Sequence, residues 1–291
     1  MNCCWLSRCS LFNWPSASLS AALPALLCPA LLLLALPASA GCSRPIVVPA
    51  APTGQTVTYV DAKIGGMIPE MLTQVGARAG CTFAWSIVPR IRLETMFEAG
   101  QADLLVAATQ VERRDRHGLF IPVVEARPAL ISLESERAKV SSIAELLARR
   151  ELRVALVRGY DYGEPYRAMI DTLTAQGRVY LEADARTVAR LINAAMADVT
   201  IMPASSFIGG LQGDPRIEDM ATRLRIEPLD ELPWIRSGIY ISKKSLTPAD
   251  QRTLEQALTS SVKAGLWWQA LKRYYTPAVL NNNTRQIEAL K

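Results

Sequence analysis

Twice along the chain an Ala-Asp pair follows a helical segment and opens an aliphatic run: Ala102 and Asp103 before Leu104, Leu105 and Val106, then Ala197 and Asp198 before Val199, Thr200 and Ile201. Each pair sits in an alternation of apolar strands and amphipathic helices. That doubled alternation restricts the chain to largely parallel sheets with covered faces, an α/β fold. In the first half, Ile46, Val47 and Val48 form a strand that runs into a Pro- and Gly-containing loop. Met67, Ile68, Met71, Leu72, Val75 and Ala79 share one helical face, which Gly80 terminates. Residues 81–88 alternate as a strand, 90–99 read as a helix and 104–109 as a third strand. The same grammar restarts after residue 140. Ser142 and Glu145 make a capping box, residues 152–157 a buried strand, and 165–173 and 188–196 two helices. Thr247, Pro248 and Asp250 then open a long C-terminal helix.

The first forty residues stand apart, with one charge, Arg8, and an uncharged run over 21–36 that Pro24 and Pro29 interrupt. Residues 1–40 are expected to be a signal peptide, with Ala38, Ser39 and Ala40 as the small-x-small cleavage pattern. Ser39, Ala40 and Gly41 before Cys42 also resemble a lipobox, so cleavage after Ala40 and lipidation of Cys42 both stay open. Four of the six cysteines leave with such a leader. Cys42 and Cys81 remain, too few for a disulfide framework; one bridge between them is open, and a small buried thiol is the favoured reading for Cys81. Removing Arg8 from the 32 basic residues leaves 31 against 27 acidic, a net charge of +4, too mild to indicate nucleic acid. With His117 as the only histidine, no site needing two imidazoles can be built. No metal or cofactor is expected.

Pro89, Arg90, Ile91, Arg92, then Met96, Gly100, Ala102 and Asp103 form the most specific stretch. Thr109, Glu112, Arg113, Arg114, Phe120 and Pro122 follow it, and Val157, Arg158, Gly159, Tyr160, Asp161, Tyr162 and Gly163 come in the second half. In this order the motifs resemble the family 3 extracellular solute-binding proteins, the type II periplasmic binding proteins of ABC transporters. The resemblance covers roughly residues 45–275. It implies two βαβ lobes joined by a two-strand hinge, near 129–133 and 233–238, with the ligand in the cleft between them. The expected layout is the signal peptide at 1–40, the first part of lobe 1 at 41–130 and lobe 2 at 131–236. The return to lobe 1 with the C-terminal helices takes 237–277, and a flexible tail 278–291. The resemblance further implies a periplasmic, monomeric protein, lipid-anchored if Cys42 is acylated, whose partners are a small-molecule ligand and an ABC permease.

The expected ligand contacts are Arg92, Thr109, Arg114, Gly159, Tyr160, Tyr162 and Ser205. Arg92 and Arg114 offer guanidinium forks for a carboxylate, and the glycine turn at 159–163 offers backbone N–H groups at a helix start. Relatives that bind amino acids carry an acid after the middle strand of lobe 2. Met202, Pro203, Ala204, Ser205 and Ser206 supply none, so an organic anion or a neutral polar solute is expected over a cationic amino acid. The basic run at Arg113, Arg114, Arg116 and His117 reads as solvated surface, and Trp267, Trp268, Tyr274 and Tyr275 as packing of the last helix. No catalytic set is expected. The alternatives are a dehydratase of the cyclohexadienyl or prephenate kind on the same fold, with Glu70, Asp161 or His117 as its acid or base, and a sensor or accessory binding module.

Overall fold

The computed structural model describes residues 41–280 and 283–288. The expected signal peptide, and Asn281 and Asn282, lie outside the described residues. Among the described residues, no helix is long and apolar enough to cross a membrane.

The first sheet begins with β1 (Ile46–Ala50), which pairs in parallel with β4 (Phe83–Ile87). Between them come the hairpin β2 (Thr58–Val60) and β3 (Lys63–Gly65) and helix α1 (Met67–Ala79). Helix α2 (Arg90–Ala99) leads to β5 (Leu104–Thr109), the short α3 (Glu112–Asp115) and β6 (Gly118–Ala126). The chain then crosses into a second group of strands. There β7 (Ala129–Leu133), α4 (Ile143–Ala148), β8 (Val154–Val157), α5 (Glu164–Ala175), β9 (Val179–Glu182), α6 (Ala185–Asn193) and β10 (Thr200–Met202) follow. Helix α7 (Ala204–Leu211) and β11 (Leu224–Pro228) complete that half. The chain returns through β12 (Ile235–Ser242), α8 (Pro248–Lys263), α9 (Leu266–Tyr274), α10 (Pro277–Leu280) and β13 (Thr284–Gln286).

A small hydrophobic cluster of Leu93, Phe97, Leu105 and Tyr240 accompanies two large ones. One gathers Ile46, Met71, Leu72, Leu104, Leu258 and Trp267, and the other Leu130, Val154, Leu156, Met169, Val188 and Phe207. The fold is thus a two-lobe α/β structure. Strand β12 lies between β5 and β6, antiparallel to both, so residues distant in sequence close the first lobe. In the second lobe β8 pairs with β9 in parallel, while β7 lies between β10 and β11.

The repeated Ala-Asp pairs do the same work in both lobes. Asp103 Oδ2 accepts the Val47 N–H at 2.7 Å and Asp198 Oδ2 accepts the Arg153 N–H at 2.7 Å, so each carboxylate binds the neighbouring strand. Each also holds a nearby guanidinium, Arg44 on Asp103 and Arg153 on Asp198. The expected caps form as well: Ser142 Oγ accepts the Glu145 N–H, and Thr247 Oγ1 the Asp250 N–H.

Three features differ from the sequence reading. Cys81 is not a free thiol: it is bonded to Cys42, with the Cα atoms 4.8 Å apart. The reason lies at Gly80, whose left-handed conformation ends α1 and whose carbonyl accepts the Cys42 N–H, laying residues 41–43 beside the helix end. A sulfur in that bond is not available for lipidation, so the bridge and an acylated Cys42 exclude each other. Strand β7 lies wholly in the second lobe, between β10 and β11, placing the first crossing at 126–129. Within the segment expected as a flexible tail, Thr284–Gln286 form β13, with Thr284 opposite Ala126 on β6, and residues 289–291 lie outside the described residues.

Candidate functional site

The crossings are tied together by Arg127. Its Nε donates to the Leu232 carbonyl at 2.9 Å, its Nη2 to that of Leu229 at 3.1 Å, and its backbone N–H to the carbonyl of Asn283 at 2.9 Å. Next to them the two lobes line a cavity of about 90 Å³. The first lobe contributes Thr53, Thr56, Arg90, Thr109, Ser237 and Thr284 as polar lining, over aliphatic walls that include Ile68, Val123 and Ile239. The second contributes the Tyr160, Asp161, Tyr162 turn before α5 and the start of α7 at Pro203, Ser205 and Ser206.

Arg90 is the charged group that the first lobe places in this cavity. It opens α2, and Arg90, Leu93, Glu94 and Phe97 form the buried face of that helix. Arg90 is only 6 % exposed, yet its polar contacts are two carbonyls, Val106 at 3.5 Å and Ala107 at 3.3 Å. Its Nε has no hydrogen-bond partner among the described residues. Burial, and then the charge of Arg114, push its pKa down from the ordinary arginine value. The Tyr160 ring of the opposite lobe faces the guanidinium with its centroid 5.8 Å away, and burial pushes the Tyr160 phenol up to about 12.

Arg114 is placed differently. It is 1 % exposed and does not line the cavity; its Nε and Nη2 fork onto Glu94, with the shortest contact 2.6 Å, and its Nη1 donates to the Thr109 carbonyl at 2.7 Å. Burial alone would raise the Glu94 pKa, but the hydrogen bonds and charge of Arg114, with the charges of Arg90 and Arg113, hold it below the ordinary glutamate value. Arg114 thus fixes the β5–α3 turn to α2. Arg92 is exposed, because two residues along a helix is a rotation of about 200° from Arg90.

Of the residues expected from sequence, Thr109, Tyr160, Tyr162 and Ser205 line the cavity together. Gly159 stands behind the wall with φ +85°, and a Cβ there would contact Arg90 and Ile91 of the other lobe at 3.4–3.5 Å. Arg90, Thr56, Tyr275 and Thr284 were not among the expected contacts. Arg90 had a signal in the sequence, since the helical period that buries Leu93 and Phe97 also turns residue 90 inward. Thr284 had none, because a strand that joins the sheet edge after an Asn run has no local signature. Trp267 is core as expected, donating from Nε1 to Ser261 Oγ at 2.8 Å, whereas Tyr275 reaches the cavity wall and its hydroxyl lies 3.3 Å from Thr56 Oγ1.

The acid and base candidates are dispersed. Glu70 lies outside the cavity, and the Tyr274 hydroxyl, which donates to it at 2.7 Å, is the first cause of its lowered pKa. His117 also lies outside. Asp161 lines the cavity, but its oxygens accept from Arg167 Nη1 at 3.0 and 3.1 Å and from the Gly163 N–H at 2.9 Å.

No family model and no curated protein matches the sequence. The fold does match solved structures. An amino acid ABC transporter substrate-binding protein from Streptococcus pneumoniae bound to L-arginine superposes with a TM-score of 0.63 at 17% identity, covering 81% of this chain and 96% of that one. A histidine kinase sensor domain similar to periplasmic binding proteins gives 0.63 at 17% identity, covering 80% and 96%. An ancestral amino-acid-binding protein, a precursor of cyclohexadienyl dehydratase, gives 0.61 at 13% identity, covering 79% and 94%. The fold is that of the type 2 periplasmic binding proteins. At such identities the likeness is one of architecture, and function has to be argued from the site.

Proposed function

We propose that this protein is an exported solute receptor of the family 3 kind, which closes its lobes over a small polar or anionic solute and presents it to an ABC permease. The observation that carries the reading is Arg90, a buried guanidinium that lines the interlobe cavity and whose Nε has no partner among the described residues. Taking such a charge out of water without a carboxylate is costly, and an arriving anion offsets that cost. Hydroxyls at Thr53, Thr56, Thr109, Ser205 and Ser237 add orientation, and the surrounding aliphatic walls exclude water. The Cys42–Cys81 bond suits the oxidising periplasm that a leader at 1–40 would reach.

A thermal-shift screen of the purified protein against amino acids, organic acids and sugars tests the receptor reading. A solute that raises the melting temperature without being consumed is the expected result. The dehydratase alternative rests on Asp161 facing the same cavity, and incubation with prephenate or arogenate separates the two. Turnover of either would replace the receptor reading. A sensor would share the binding step and differ in lacking stimulation of a transport ATPase.

A further inference from the structure

We infer that the bound solute is a short-chain monocarboxylate that carries an oxo or hydroxyl oxygen and no ammonium group. The inference rests on the receptor reading and narrows it. The charges behind the cavity set the first half of the argument. Arg90, Arg113 and Arg114 share two carboxylates: Glu94 receives Arg114 and Arg113, and Glu98 receives Arg113. One positive charge is left over, and Arg90 is the member of that cluster lining the cavity. It asks for one carboxylate.

An ammonium finds no corresponding partner. Asp161 is the carboxylate among the lining residues, and Arg167 together with the Gly163 N–H already engages it. Arg167 also pairs with Glu164, so the negative charge in excess there rests on a solvent-exposed side chain, while Asp161 keeps a cation of its own. An α-amino acid would leave its ammonium facing Arg90 across a small space with hydroxyls alone for acceptors, which is an unpaired charge in a desolvated site. A second unsatisfied atom completes the recognition set: Thr284 Oγ1 is buried without a partner among the described residues, and Thr284 lines the same cavity. A hydroxyl can donate to an oxo oxygen or accept from a hydroxyl, which the carboxylate alone does not require. The cavity of about 90 Å³ and its aliphatic walls at Ile68, Val123 and Ile239 set the small size and the apolar remainder.

Calorimetry with matched pairs tests this: pyruvate, lactate and 2-oxobutyrate against alanine and 2-aminobutyrate, with propionate as the acid lacking the second oxygen. The oxo and hydroxy acids should bind at least about tenfold more tightly than their amino counterparts, and Thr284→Val should narrow their advantage over propionate. Arg90→Gln should weaken the oxo acids by about ten- to a hundredfold while leaving the ligand-free melting temperature equal to or above that of the wild type, because it removes an unpaired buried charge. Equal or tighter binding of the amino acids overturns the inference and leaves the receptor reading standing, as does tight binding of neutral solutes alone. Retained oxo-acid affinity in Arg90→Gln, or a lowered melt without a change in affinity, makes Arg90 structural and also overturns it. Absence of binding by any solute class, or turnover, removes the inference and the receptor reading together.

Discussion

Gly209 on α7 meets the loop after β1 backbone to backbone, so that the lobes touch where neither carries a side chain. A Cβ placed on Gly209 would lie 2.8 Å from both Gln55 N and Gly54 Cα, and 3.2 Å from Gly54 C. Those atoms are main chain and cannot rotate aside. Gly54 itself has φ +53°, a conformation that a larger residue adopts only with strain. Gly209→Ala should therefore leave each lobe intact and oppose their closure. Overpacking of this kind costs about 1–3 kcal/mol when it cannot relax, and here separation of the lobes relaxes it. Apparent affinity falls in proportion to the closed fraction, so 1.4–2.8 kcal/mol, within that range, corresponds to roughly ten- to a hundredfold weaker binding. Alanine in a helix is meanwhile favoured over glycine by about 1 kcal/mol, so the ligand-free melting temperature should hold or rise. Small-angle scattering should show a larger radius of gyration for the ligand-free variant, and calorimetry with a solute that stabilises the wild type should show the weaker binding. An unchanged radius with unchanged affinity would refute the closure argument. A lowered melt with normal binding would place the contact in the service of the fold instead.

Arg114→Ala should cost about 3–5 kcal/mol of stability in a denaturant titration, because it leaves Glu94 buried with its main partner gone, whereas exposed Arg92→Ala should stay within about 0.5 kcal/mol and bind normally. Burial raises the Asp103 pKa, but hydrogen bonds from Arg44, Ser245 and the Val47 N–H outweigh it and hold it below the ordinary aspartate value. Its contribution is therefore fully present above the unfolded value of about 4 and is lost as pH falls through the lower folded value. Denaturant midpoints at pH 7, 4 and 3 should decline more shallowly in Asp103→Asn than in wild type. Reducing Cys42–Cys81 opens a link across 39 positions and should lower stability by about 2–4 kcal/mol, read as a drop in melting temperature with dithiothreitol; an unchanged melt would mean the bond does not form in solution.

Much of the architecture was legible because strands and helices write their periods locally. The faces of α1 and α5, the caps at Ser142 and Thr247, and the repeated Ala-Asp device at 103 and 198 follow from spacing of a few residues. Part of the cavity was legible for the same reason, since Thr109, Tyr160, Tyr162 and Ser205 each stand at the end of a readable element. The choice between arginines was not. Motif order pointed to Arg92 and Arg114, while helix phase puts Arg90 inward and Arg92 out. The identity of Arg114 as a structural tie depends on Glu94, twenty residues earlier on another element. The disulfide, the backbone approach of Gly54 and Gly209, and the return of Thr284 to the cleft are contacts between segments far apart in sequence. Local pattern determines which face of an element is apolar; only the packed chain determines which polar groups are left without partners, and those groups are where a ligand is recognised.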